Sequence, residues 1–324
     1  MGILKKADMF LVTATLGIIL VSIVGCASSG QNFQNRNEFE NPGQNQLMSL
    51  SGNKARPVFD EKKIITEEPL DMTPGELERL GDIYLSRDNL YMAFVQYEKS
   101  LNLNPDNIRV RYKKGLVLVS GGLAKDAIEE FKKVLKKEPD YALAYQGLGQ
   151  AFFEERTYDD AEKNLRKAFE LNPKLWKSHN LLGLVYDRQG KHGQAIYEYA
   201  AAIRLRPHSG VLYHNLGVSY SQAGDYERAV NAFQKALENR YVDKKVYNNL
   251  GLALSKVGRH EEALEAFKKG GDIAQAYNNL GCVYLNEDKF EKAIKCFETA
   301  IELSPAFYAK ANENLKKARI AALH

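Results

Sequence analysis

The side chains best suited to proton transfer or metal binding in this chain are its six histidines, and their spacing supports neither chemistry. His179, His192, His208, His214, His260 and His324 include no i, i+4 pair and have no cysteine neighbour at metal-ligand spacing. The sequence has no phosphate-cradling glycine loop, no Gly-x-Ser-x-Gly elbow and no His-Glu-x-x-His helix. Its carboxylates alternate with lysines, as on solvated helix faces. The reading is therefore of a protein that is not an enzyme, with no cofactor, no metal and no small-molecule substrate. Two kinds of residue remain with chemistry to offer. One is Cys26, which ends an apolar run. The other is a set of carboxamides: Asn180, Asn215, Asn248, Asn249, Asn278 and Asn279. Each offers a donor and an acceptor, the pair that one peptide unit needs.

Those asparagines sit two or three residues before a recurrent glycine, and the recurrence defines what must position them. Gly81, Gly115, Gly149, Gly183, Gly217, Gly251 and Gly281 are each followed twelve residues later by alanine: Ala93, Ala127, Ala161, Ala195, Ala229, Ala263 and Ala293. Five successive steps are thirty-four residues long and the last is thirty. A period in this range specifies stacked supersecondary units, each unable to bury its apolar face alone. Apolar residues flank each glycine at helical spacing, and a second helix carries the alanine. The expected steric logic is glycine on one helix meeting alanine on the other, where two antiparallel helices approach closely. Gly122, Gly190, Gly224 and Gly258 suit the left-handed turn between them. Pro105, Pro139, Pro173, Pro207 and Pro305 mark where second helices stop.

With glycine at position 8, alanine at 20 and proline at 32, the chain resembles the tetratricopeptide-repeat (TPR) proteins from about residue 74 to 305. The resemblance implies an all-α solenoid of seven helix pairs over residues 73–305 and a capping helix over 306–324. Two units depart from the pattern. The fifth has Tyr241 where proline is usual. The sixth loses four residues, running Lys269-Gly270-Gly271-Asp272 into the next helix. Four residues make about one helical turn, so that unit's second helix is expected one turn short, with a local change in pitch. Asp272 and Gln275 read as a capping box, as do Thr73 and Glu76 around an N1 proline, Pro74. In the last segment Phe307, Ala311, Leu315 and Ala318 form one apolar face. Family positions 9 and 23 for Cys282 and Cys296 favour two free thiols.

Residues 1–25 have another pattern. Lys5 and Lys6 precede an apolar run from Met9 to Val24, too short for a bilayer span and right for the hydrophobic region of a signal peptide. Ile23-Val24-Gly25-Cys26 resembles the bacterial lipobox. That resemblance implies a covalent lipid on Cys26 as the new N-terminus and a membrane anchor. An uncleaved anchor with an incidental cysteine is the alternative, and Gly25 and the length argue against it; Asp8 is unusual in a leader. Ala27, rather than aspartate, after the cysteine implies outer-membrane sorting, facing the periplasm, by enterobacterial rules. Residues 26–72 read as a disordered Asn/Gln-rich tether. A flexible chain of this length reaches about 40 Å.

The net charge of +4 is spread along helix faces, without the basic stripe that nucleic-acid binding requires. In the TPR family, positions 2, 5, 6, 9 and 12 of the first helix line a concave groove that binds protein partners. Here Asn215, Asn249 and Asn279 fall at position 6, and Asn180, Asn248 and Asn278 at position 5. The position-6 row resembles the asparagine ladder in the TPR domain of the transferase that glycosylates intracellular proteins. In many TPRs the same asparagine only pins its own helix, so both readings stand. The first three units carry Arg79, Lys113 and Gly147 instead, and no asparagine occupies position 9, which disfavours binding of chaperone C-termini. The layout resembles TPR lipoproteins of type IV and tight-adherence pilus assembly. It implies a membrane-tethered scaffold for envelope proteins in a pilus or secretin-type machine. The other reading is an adaptor that recruits or regulates cell-wall hydrolases or proteases.

Overall fold

The computed structural model describes residues 72–304 and 309–323. Among these the chain forms fifteen helices and no strand. Seven helix pairs follow one another: α1 (Pro74–Ser86) with α2 (Leu90–Leu103), α3 (Ile108–Ser120) with α4 (Ala124–Lys137), and α5 (Ala142–Glu154) with α6 (Tyr158–Leu171). Next come α7 (Trp176–Arg188) with α8 (His192–Leu205), α9 (Gly210–Gln222) with α10 (Tyr226–Glu238), α11 (Lys244–Lys256) with α12 (His260–Gly270), and α13 (Ile273–Asn286) with α14 (Phe290–Leu303). A last helix, α15 (Ala309–Ala321), packs on α14. Each second helix packs on the first helix of the next unit. From α3 onward, successive first helices also touch each other. The result is an α-solenoid stacked in chain order.

The recurrent glycine has a different partner from the one its spacing suggests. A Cβ on Gly81, Gly115, Gly183, Gly217, Gly251 or Gly281 would stand 2.5–2.7 Å from the ring sixteen residues on, respectively Tyr97, Phe131, Tyr199, Phe233, Phe267 or Phe297. At Gly149 the obstruction is Leu165, with the Ala161 carbonyl at 3.3 Å. The position-20 alanine is buried alongside, but the atom that excludes a side chain belongs to position 24. These large groups are almost wholly buried, and each such burial contributes roughly 2–3 kcal/mol. Glycine thus makes room for the bulk of its own unit's core.

The turns within the pairs all use one backbone solution. Gly122, Gly190, Gly224 and Gly258 have φ between +74° and +82°. In the other three units Asp88, Arg156 and Asp288 take the same position at φ +57° to +61°. Each closes with the two hydrogen bonds of a Schellman motif, as where Leu123 N donates to Leu118 O and Gly122 N to Val119 O. Unit five ends its second helix with the same device in place of proline. Arg240 adopts φ +63°, Tyr241 N donates to Ala236 O, and Arg240 N to Leu237 O. Tyr241 then packs where a Cβ on Gly210 would lie 2.4 Å from its own Cβ.

Helix α12 has 11 residues against 13 or 14 for the other second helices. It stops at Gly270-Gly271, and Asp272 caps α13 by accepting from Gln275 N at 2.6 Å. At the other end the capping box is closed both ways: Thr73 N donates to Glu76 Oε2 at 2.8 Å and Glu76 N to Thr73 Oγ1 at 3.3 Å. Ala311, Leu315 and Ala318 of α15 are buried, as expected, and so is Asn314. Phe307 lies outside the described residues.

Candidate functional site

Position 5 of one unit and position 6 of the next come together between units one and two, four and five, and five and six. Between units one and two the bridge is ionic: Lys113 Nζ meets Glu78 Oε1 at 2.7 Å and Asp82 at 2.6 Å, while Arg109 holds Glu78 Oε2 at 2.7 Å. Burial raises the Glu78 pKa, but hydrogen bonds from Lys113 and Arg109 outweigh it and hold the carboxyl below its usual range. Between units two and three Gly147 has no side chain, and a Cβ there would lie 2.5 Å from Phe131. Tyr112 packs against Tyr141 instead, with ring centroids 5.6 Å apart. Between units three and four Leu181 offers no polar group, and Ser178 Oγ donates to Gln146 Oε1 at 3.2 Å.

The predicted asparagines enter from unit four onward. Asn215 Nδ2 donates to Asn180 Oδ1 at 3.0 Å, both side chains being buried. Asn249 Nδ2 meets His214 Nε2 at 3.3 Å. His214 also packs against Phe233 and Tyr241, and burial pushes its pKa down to about 4, keeping the imidazole neutral and able to accept. Asn278 Oδ1 accepts from Asn314 Nδ2 at 3.1 Å. Between units six and seven, among the described residues, no hydrogen bond joins Asn248 to Asn279, and Asn248 Oδ1 is buried without a partner. The structure therefore brings Asn180 to Asn215, ties Asn249 to His214 and Asn278 to α15, and leaves Asn248 and Asn279 apart.

The inner positions are also more deeply packed than the family groove implies. Leu184 and Val218, at position 9, are buried, whereas Leu252 is 38% exposed. Near Leu184 lies a polar node that the sequence reading missed. Asp187 accepts from Ser219 Oγ at 2.6 and 2.7 Å and from Tyr199 OH at 3.0 Å, with His192 Nδ1 at 3.1 Å. Desolvation raises the Asp187 pKa despite the bonds from Ser219, His192 and Tyr199. A signal was present. A carboxylate directly after Leu181-Leu182-Gly183-Leu184-Val185-Tyr186 enters the core with its helix and must find donors there.

No disulfide joins Cys282 and Cys296, both buried, and burial pushes the Cys296 thiol up to about 11. Among the described residues there is no group of three or more His, Cys, Asp and Glu placed to hold a metal ion. No helix there is long and apolar enough to cross a membrane. Cys26 and its flanking segments lie outside the described residues.

Comparison with known proteins gives the same repeat at every level. The chain is 30% identical over 100 residues to human Superkiller complex protein 3, which covers 31% of this chain and 6% of that much longer protein. Among solved structures it resembles a thermophilic TPR protein of Thermus thermophilus, with TM-score 0.50 and 23% identity over 56% of this chain and 99% of that one. It also resembles a tetratricopeptide repeat protein from Parabacteroides merdae, with TM-score 0.51 and 16% identity over 76% of this chain and 98% of that one. Both likenesses are of fold. Family models described as tetratricopeptide repeat match residues 77–107, 112–168, 175–241, 214–277 and 274–307. With helix pairs, turns and ring-against-glycine packing in the same places, the chain belongs to the tetratricopeptide-repeat family.

Proposed function

We propose that this protein is a non-enzymatic scaffold, tethered to the outer membrane by a lipid on Cys26 and facing the periplasm, that binds envelope proteins during assembly of a pilus or secretin-type machine. The observation that carries this reading is the joining, in one chain, of Lys5-Lys6, the apolar run to Val24 and Gly25-Cys26 to a seven-unit array. A stack of this kind offers an extended polar surface and no catalytic constellation, which suits holding a partner rather than transforming it. Asn279, Asn248 and Asn249 are the amides of the predicted set that retain partial exposure. They are the ones this reading assigns to partner contact.

The test has two arms. Cys26→Ser should abolish lipid labelling and release the protein from membranes; a variant that still labels and pellets refutes the anchor. Deletion of the protein in its native host should reduce secretin multimers and surface pili. Normal multimers and pili, with disturbed cell-wall hydrolysis, would favour an adaptor for hydrolases or proteases.

A further inference from the structure

Unit one is covered where the other units are open. In unit five the groove between α9 and α10 holds about 190 Å³ and is lined by Tyr213, Leu216 and Tyr220 on one helix and by Arg228, Asn231 and Lys235 on the other. These are positions 4, 7 and 11 of the first helix and 19, 22 and 26 of the second. At position 22, Glu129, Lys163, Tyr197, Asn231, Glu265 and Lys295 are all exposed. Unit one places Val95 there, and Val95 is only 7% exposed. The rest of its groove shifts the same way. Leu77, at position 4, is buried, while its six counterparts are half-buried. Met92, at position 19, is half-buried, while its six counterparts are exposed and polar. The lining has become apolar where the burial has increased, which is the pairing that burial of apolar surface favours.

The described helices do not supply the cover. Helix α2 packs on α1 and α3, as the second helices of units two to six pack on their own first helix and the next. That arrangement leaves position 22 exposed six times, so a further layer lies on Val95. The structure holds a single chain, and the layer belongs to it. Residues 305–308 and 324 adjoin α14 and α15 at the far end of the array, which leaves the chain that runs into Pro74. Upstream of Pro74, Val58-Phe59 and Ile64-Ile65 are two large apolar pairs within eight residues. Residues 66–73 separate Ile65 from Pro74 and can span about 28 Å, whereas α1, with 13 residues, is about 20 Å long. The apolar stretch therefore reaches any point of the groove. A complete preceding repeat is not what covers it. Ile83, at position 10, is 45% exposed, whereas Val117, Ala151, Val185, Ser219 and Ala253 are buried in the stack. Phe59 and Lys63 also fall where such a repeat would carry its alanine and its ring.

We infer that residues Val58–Ile65 fold back and seat in the α1–α2 groove, with their apolar side chains on Met92 and Val95. The leading unit of a stacked array has no predecessor to cover it, and here the protein's own upstream segment takes that place. The consequence for the tether is geometric. Its free part ends near Pro57, and residues 27–57 reach about 30 Å where the whole segment would reach about 40 Å. This inference stands apart from the assembly role.

The experiment uses the full-length chain. A photoreactive benzophenone side chain replaces Met92, at the groove's rim, and in a second sample Arg228, its counterpart in unit five. Irradiation of the first should crosslink residues 55–68 of the same molecule, with a yield independent of protein concentration; the second should not capture them. In limited digestion with trypsin, Val95→Glu should raise cleavage at Lys62 and Lys63 at least tenfold and leave cleavage at Lys54 within twofold of the parent. Val95→Glu, and separately Ile64→Asp with Ile65→Asp, should abolish the crosslink. Circular dichroism should show each variant folded, since unit two carries Glu129 at the position of Val95. The inference is overturned if the Met92 probe captures another stretch of the chain or a second copy, or if Val95→Glu leaves cleavage at Lys62 and Lys63 unchanged.

Discussion

The junction between units one and two and that between units four and five join the same two helix positions with opposite chemistry. The first is ionic and only partly open to solvent: Lys113 and Arg109 hold the buried Glu78 carboxylate, with the Arg109 side chain 68% exposed. The second is uncharged and buried: Asn215 donates to Asn180, and Asp187, Ser219 and Tyr199 form a bonded node beneath. The contrast teaches that stacking does not dictate the kind of bridge at an interface, and units six and seven stack without a hydrogen bond between Asn248 and Asn279. Ionic bridges depend on the medium and contribute little each. Buried networks are insensitive to salt and costly to break, because their partners are left unmet in a dry interior.

The largest expected effect follows from breaking the buried node. Asp187→Ala leaves the donors of Ser219 and Tyr199 without an acceptor and should destabilise the middle units by about 3 kcal/mol. Urea unfolding followed by hydrogen exchange across α7–α9 would measure it, and a loss below about 1 kcal/mol would mean that the node is dispensable.

Next is an effect of pH. The folded pKa of His214 is about 4 and lies below the value of about 6.5 expected when unfolded. The unfolded chain therefore binds the proton more readily, and this stability is present above pH 6.5 and lost as pH falls from there toward 4. Because the ring keeps some contact with solvent, and Asp243 and Lys245 lie near with opposite signs, about 2 kcal/mol is expected. The loss should centre on the His214–Asn249 bridge and disappear in His214→Gln, as read by melting at pH 7 and pH 4.5.

The ionic junction should respond to salt. Glu78→Gln should cost about 1 kcal/mol in dilute buffer and little in 1 M salt, where the screening length is about 3 Å. A salt-independent loss would place Glu78 with the buried bridges.

Much of this architecture was legible because sterics act locally. Thr73 and Asp272 as helix caps, the turn glycines and the shortened sixth unit follow from short-range rules. What spacing misassigned was the glycine's partner. Alanine recurs as faithfully as the ring at position 24, but only the ring has the volume that requires a missing side chain. Two further features were not legible. Asp88, Arg156 and Asp288 accept the left-handed conformation because a Schellman turn and the packed helices on either side enforce it. The pairing of position 5 with the next unit's position 6 depends on how first helices stack, which is a tertiary fact. The asparagines could be named, but which of them would find each other could not.

The smallest prediction tests that enforced turn. Arg156→Gly places at φ +61° the residue that four other units use there. It should raise stability by about 0.5–1 kcal/mol, since left-handed backbone is strained for a residue with a Cβ. A decrease would show that the arginine side chain contributes more than its backbone costs.

The central claim is that side chains at positions 5 and 6 close the junctions where they meet and leave that of units six and seven open. Residue-resolved hydrogen exchange on the full-length chain tests it most directly. The amides of Gly270 to Gln275 and the first turn of α11 should exchange faster than their counterparts between units four and five. Asn180→Ala should bring the latter toward the former. Equal protection at both junctions, unmoved by that substitution, would contradict the account.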